Sequence, residues 1–299
     1  MRRSWLLATA GMLMMAAPLL AQNEEDLRSR LDTTVALAAN GTVQLSLISG
    51  DIIVTSWARN EVKIHATSDR GILQFDASPS RVQLRVRSNQ DDMGDTRFEV
   101  TIPAGARLSA NSVSGDVRTQ GGSDVDLHSV SGDVTAGNIS GNASAESVSG
   151  NVTVTKAGGG AKVSTVSGDV QLTDITGDLS THTVSGEIQL DGVKSSYVST
   201  QTVSGDTHFR GSLASQGRYE FRSHSGDVEL TVPPAGATVN VETFSGDVQS
   251  GYPMTLSPGG KQGTRHMQFT INGGGAQVSV TTFSGDVTIN RASGANREN

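Results

Sequence analysis

An acidic side chain directly follows a glycine at Asp116, Asp133, Asp169, Glu187, Asp206, Asp227, Asp247 and Asp286, and Asn151 falls in the same column. Acids at a fixed spacing admit three chemistries. Carboxylates at the turns of a β-roll bind calcium when several oxygens converge. Two carboxyls about 5 Å apart match the pair of a retaining glycosidase. An Asp at a bend can also simply accept backbone N–H groups. Calcium rolls use a denser Gly-Gly-x-Gly-x-Asp turn, whereas each half-repeat here offers one glycine and one acid, and Asn151 interrupts the column. A catalytic pair is singular, yet this spacing recurs along most of the chain. Backbone capping is the plainest reading, and no catalytic, metal-binding or cofactor-binding residue is assigned.

Other side chains that could do chemistry are also arranged in columns. Ser114, Ser131, Ser149, Ser167, Ser185, Ser204, Ser225, Ser245 and Ser284 precede the glycine, and Ser129, Ser147, Thr165, Thr183, Thr202, Ser223, Thr243 and Thr282 stand two residues earlier. Hydrogen bonding along a ladder accounts for them better than ice binding, because the serines, which make up the whole of the first column, lack the threonine methyl. His128 and His182 share a column but lie three repeats apart, about 14 Å, too far to share a metal. His224 falls in a column otherwise apolar. Arg81, Arg85 and Arg87 share one strand parity and read as edge protection.

These columns are set by an internal repeat. Full copies centre on Gly115, Gly132, Gly150, Gly168, Gly186, Gly205, Gly226, Gly246 and Gly285, at spacings of 17 or 18 residues and then 19, 21, 20 and 39. Half-period echoes occur at Gly141, Gly159 and Gly177. Two residues before the glycine stand Val113, Val130, Val148, Val166, Val184 and Val203, then His224, Phe244 and Phe283; two after it stand Val117, Val134, Val152, Val170 and Ile188. Both columns read as buried, on the period-two alternation of half-buried strands. Leu127, Val163, Phe221, Val241 and Val280, five before the glycine, join them. Placing both this column and the valines inside requires a slip of parity, hence a bulge, just before the glycine. Units this short bury their apolar faces only by stacking. The fold class expected is all-β: a parallel β-solenoid of two sheets, with a three-sided coil as the nearest alternative.

The solenoid is expected over residues 106–290, preceded by a β-rich cap over 22–105 that is continuous with the stack and followed by a polar tail at 291–299. Within the cap, Val35-Ala36-Leu37, Asn40-Gly41 and Val43-Gln44-Leu45 read as a hairpin. Tyr252 to His266 reads as a loop over one coil. Residues 1–21, with Arg2, Arg3 and an apolar run from Trp5 to Leu20, have the layout of a secretory signal peptide. The sequence contains no cysteine, which removes lipid attachment at a cysteine, thiol nucleophiles and cysteine-based zinc sites. Aromatic residues make up 4% and the formal charge is −7, which favours a thin aliphatic core and argues against nucleic acid.

The arrayed "SVSGDV", "TVSGDV" and "TFSGDV" segments, following "LISGDIIVTSWARNEVKIHA", resemble the bacterial putative-adhesin family of exported β-strand-repeat proteins, a domain family of undetermined function. The resemblance covers nearly the whole mature chain. It implies an exported β-solenoid at the cell envelope, periplasmic or at the cell surface, and it brings no catalytic residues to transfer. The function expected is non-enzymatic: a rigid repetitive β-surface for a glycan, lipid or protein partner, with no membrane span after signal-peptide removal. A carbohydrate-active β-helix enzyme and a calcium-binding β-roll are the alternatives.

Overall fold

The computed structural model describes residues 29–87, 94–253 and 265–292. The signal-peptide segment, most of the Tyr252 to His266 loop and the tail beyond residue 292 lie outside the described residues.

Two sheets of 13 strands each face one another across an aliphatic core. The strand after each corner glycine joins the first sheet and the strand before it joins the second. Stacking is parallel and in register. Val134 lies beside Val152, Val152 beside Val170 and Val170 beside Ile188, so each apolar column packs against its own repeat. Burying a valine contributes about 1.5–3 kcal/mol. Val117, Val134, Val152, Val170 and Ile188 are all buried, as are Leu127, Val163, Phe221, Val241 and Val280. The 21-residue step between Gly205 and Gly226 contains Phe209, Tyr219 and Phe221, with Phe209 edge to face on Tyr219 at 6.0 Å and on Phe221 at 5.4 Å.

One column is inverted relative to expectation. Val113, Val130, Val148, Val166, Val184 and Val203 face outward, between 36% and 49% exposed. The hydroxyl residue before each of them, from Ser112 and Ser129 to Thr243 and Thr282, is buried instead. Alternation therefore runs unbroken from Leu127 through Ser129 to the outward Val130, and the slip expected between Leu127 and Val130 is absent. Parity changes instead across the corner itself, since buried Ser129 and Val134 stand five residues apart, and again beyond the glycine. Asn138, Lys156 and Asp174, each six residues past it, adopt φ of 55°, 59° and 56°, and Gly192 takes the same place at 66°. This left-handed residue lets Ile139, Ala157, Ile175 and Val193 turn inward immediately afterwards. Tyr197 also faces outward, and Val198 takes the inner position beside Leu179.

The ends are interleaved. Gly50–Trp57 lies between Thr96–Pro103 and Val117–Gln120, and Thr42–Ser46 lies between Arg81–Arg87 and Arg107–Ser114. The segment Ser49-Gly50-Asp51 is thus another corner of the stack, beside Ser114 and Gly115. No hairpin forms at Asn40-Gly41: Arg30–Ala36 belongs to the first sheet and Thr42–Ser46 to the second. Arg81, Arg85 and Arg87 do face outward, but their strand is covered by Ile72–Ser78, so it is not an edge. At the far end, Ala276–Ser284 inserts between Arg218–Ser225 and Ala237–Ser245. Corners therefore follow the spatial order Gly226, Gly285, Gly246. Antiparallel strands finish the stack, with Arg30–Ala36 and Ile72–Ser78 at one end and Arg265–Ile271 at the other.

Candidate interaction surface

Each Ser-Gly-Asp corner folds as it does because glycine is the residue that fits. A Cβ on Gly168 would run into the carbonyl oxygen of Gly150, and the same collision recurs at Gly132, Gly150, Gly186, Gly205, Gly226, Gly285 and Gly246. Successive backbones approach too closely there for any side chain.

The acidic residue after the glycine satisfies the coil above it. Asp133 N–H donates to Asp116 Oδ1 at 2.8 Å, Asn151 N–H to Asp133 Oδ1 at 2.8 Å, Asp169 N–H to Asn151 Oδ1 at 2.9 Å and Glu187 N–H to Asp169 Oδ1 at 2.9 Å. The chain of bonds resumes from Asp206 to Asp227, Asp286 and Asp247. It lapses between Glu187 and Asp206, where the side chain is one methylene longer. Asn151 therefore continues the ladder, because the amide oxygen accepts as a carboxylate does. Among the described residues, no group of three or more His, Asp or Glu side chains is placed to hold a metal ion.

The second carboxylate oxygens give the corner its charge. Asp116 pairs with Arg118 at 2.6 Å, Asp51 with Arg97 at 3.8 Å and Glu187 with His208 at 3.5 Å. Arg97 in turn hydrogen-bonds Glu99, which holds that carboxyl below its usual range. Asp133, Asp169, Asp206, Asp227 and Asp286 make no ion pair among the described residues. They form an anionic stripe with one charge on most rungs.

Beside this stripe runs the outward apolar column. Because Val130, Ser131, Gly132 and Asp133 are consecutive, the two stripes stay within about 10 Å of one another on every coil. In spatial order the column reads Val113, Val130, Val148, Val166, Val184, Val203, His224, Phe283, Phe244, about 38 Å long at the interstrand spacing. Its far end is aromatic: Phe244 stacks on Phe283 at 4.9 Å and Phe283 on His224 at 5.1 Å, with the two phenylalanines about half exposed. His224 is thus an outer rung of the column. Hydropathy alone places these valines inside, because valine reads as buried. The signal that finds them is parity with Leu127 and its equivalents.

The remaining polar groups do not converge. Ser129, Ser147 and Thr165 hydroxyls donate inward to the Gly115, Gly132 and Gly150 carbonyls. His128 lies between Asp126 at 3.0 Å and Glu146 at 3.3 Å, and His208 between Glu187 and Glu229. His128 and His182 stand on the outer face without meeting. A shallow groove of about 570 Å³ crosses the second sheet between Arg107 and Tyr197, floored by Ser109, Ser144, Gly160 and Ser180.

Several solved structures are similar to this chain at low identity. A "putative adhesin" of Parabacteroides distasonis is 8% identical, covering 89% of this chain and 98% of its own, with a TM-score of 0.45. A "putative lipid binding protein" of the same species is 10% identical over 89% of this chain and 97% of its own, with a TM-score of 0.43. A "putative adhesin" of Bacteroides fragilis is 10% identical over 87% and 96%, with a TM-score of 0.41. No curated protein sequence matches. The model of one family matches twice, over residues 30–172 and 89–290. With its stacked corners and paired sheets accounted for residue by residue, this chain belongs to the Toastrack DUF4097 family.

Proposed function

We propose that this protein is an exported, non-enzymatic component of the cell envelope that presents a rigid β-surface for binding. The observation that carries this reading is the outward ladder from Val113 to Phe244. Single exposed apolar residues need no explanation, but eight exposed apolar side chains aligned with His224 on nine successive rungs mark an interaction surface. The scaffold behind it is suited to the task. Every rung belongs to a strand paired on both sides, so the stripe is preorganised and little conformational entropy is lost on contact.

The test uses the mature chain and the envelope fraction of the producing bacterium. Replacing Val130, Val148, Val166 and Val184 with threonine keeps shape and strand preference while adding hydroxyls. Co-sedimentation with envelopes is expected to fall at least tenfold in this variant. It should persist when Gln171 and Gln189 on the first sheet are changed to serine. Equal retention of the two variants would sink the reading.

A further inference from the structure

The paired stripes point to a particular partner, and this step rests on the reading that the outward ladder binds. We infer that the ladder docks an amphipathic α-helix of a partner polypeptide, with apolar residues on one face and Lys or Arg along one flank. Three observations lead there. The apolar stripe is one side chain wide, which suits a single slender element better than a broad protein face. Beside it lie the unpaired carboxylates of Asp133, Asp169, Asp206, Asp227 and Asp286. An anionic lipid surface or acidic glycan laid on the valines would be repelled by them, whereas cations would be attracted. Finally, the backbone of the stack already hydrogen-bonds from coil to coil. Among the described residues, a partner laid across the rungs meets strands already paired on both sides and gains no sheet edge there, so it must satisfy its own backbone, which a helix does.

Geometry limits the length of the contact. A helix advances 5.4 Å per turn and the stack about 4.8 Å per rung. Facing side chains drift by about 0.6 Å per turn and lose register by half a rung after about four turns, or roughly 15 residues. The best segment is the aromatic end, where Val203, His224, Phe283 and Phe244 run beside Asp206, Asp227, Asp286 and Asp247 on four successive rungs.

The experiment uses two labelled 15-residue peptides, helical by circular dichroism, that share a leucine face. One carries Lys along the flank and the other Glu. Fluorescence anisotropy against the mature chain is expected to show the Lys peptide binding at least 20-fold more tightly than the Glu peptide, and weakening about tenfold between 50 and 500 mM NaCl. The variant D206N/D227N/D286N keeps the amide-accepting oxygens, as Asn151 does, and is expected to bind about tenfold more weakly. The charge-matched control D32N/E61Q/D76N, at the other end of the stack, should bind within twofold of the parent. Equal binding of both peptides, or no effect of the three asparagines while Phe244→Ser/Phe283→Ser still abolishes binding, overturns the helix assignment and leaves the ladder reading standing. Neutral phosphatidylcholine vesicles retaining the chain through the ladder, with no peptide bound, would likewise overturn it in favour of a lipid surface. Peptide binding untouched by Phe244→Ser/Phe283→Ser would remove the inference and weaken the ladder reading with it.

Discussion

Asn151 accepts the amide of Asp169 at 2.9 Å through the same oxygen position by which Asp133 accepts the amide of Asn151 at 2.8 Å. The ladder thus uses an oxygen and has no need of the negative charge. Asp169→Asn is expected to leave stability within about 0.5 kcal/mol of the parent, whereas Asp169→Ala should lose about 1 kcal/mol with the cap. Thermal unfolding followed by circular dichroism distinguishes them. The same measurement with calcium and then excess chelator should show no shift. A large upward shift with calcium would mean that metal, not amide hydrogen, is the partner of these carboxylates.

Glycine at the corner is required by close approach. At Gly205, φ is 149° and an added Cβ would meet the Gly186 carbonyl oxygen. Gly205→Ala should destabilise by more than about 3 kcal/mol, combining strain with steric overlap. Urea denaturation reads the difference, and a loss under 1 kcal/mol would show that the coils can spread.

The buried hydroxyl column divides into two groups. Thr165 donates to the Gly150 carbonyl at 3.2 Å, whereas the Thr183, Thr202, Thr243 and Thr282 hydroxyls have no protein partner. Thr183→Val removes an unsatisfied buried hydroxyl at constant shape and is expected to stabilise by about 1 kcal/mol. Thr165→Val should lose a similar amount. Equal changes at the two positions would show that both hydroxyls are satisfied alike in solution.

Tyr219 is fully buried and donates to the Ser195 carbonyl at 2.7 Å while accepting from the Ala214 amide at 2.8 Å. Burial raises its phenol above the ordinary 10.0, so the folded chain holds this proton more tightly than the unfolded chain. Its contribution is complete below pH 10 and is lost as pH rises above that value. Stability measured from pH 8 to 11.5 should decline above pH 10, and less steeply in Tyr219→Phe. That variant should also start about 1–3 kcal/mol less stable, with two backbone groups left unpaired. An unchanged slope would remove Tyr219 from the alkaline transition.

The repeat made the two-sheet stack legible, because glycine spacing and alternating valines leave few other ways to bury so little aromatic surface. Residue identity misled where hydropathy and geometry part. Val130 is the more apolar neighbour of Ser129, yet Ser129 is inside, since strand parity is fixed from Leu127 by the pleat. The coil order at the end was not legible at all. "TFSGDV" occurs at 243–248 and again at 282–287, and nothing in two identical segments says which comes first in space. The hairpin expected at Asn40-Gly41 failed for a related reason: the turn chemistry was sound, but both flanking strands had better partners in different sheets.

The interleaved ends carry a consequence for how such a chain is made and how it can change. Because Ala276–Ser284 is wedged beneath Ala237–Ser245, the penultimate segment gains its neighbour only after the final residues emerge. A chain cut short before residue 276 is left with a gap where that neighbour belongs. The dovetail at Gly50–Trp57 fastens the opposite end in the same way. Between these two fastenings the coils from Gly115 to Gly186 repeat at 17 or 18 residues with the same corner and the same pairing. Duplication or deletion in evolution can therefore lengthen or shorten the protein in its middle, leaving both ends closed at any length.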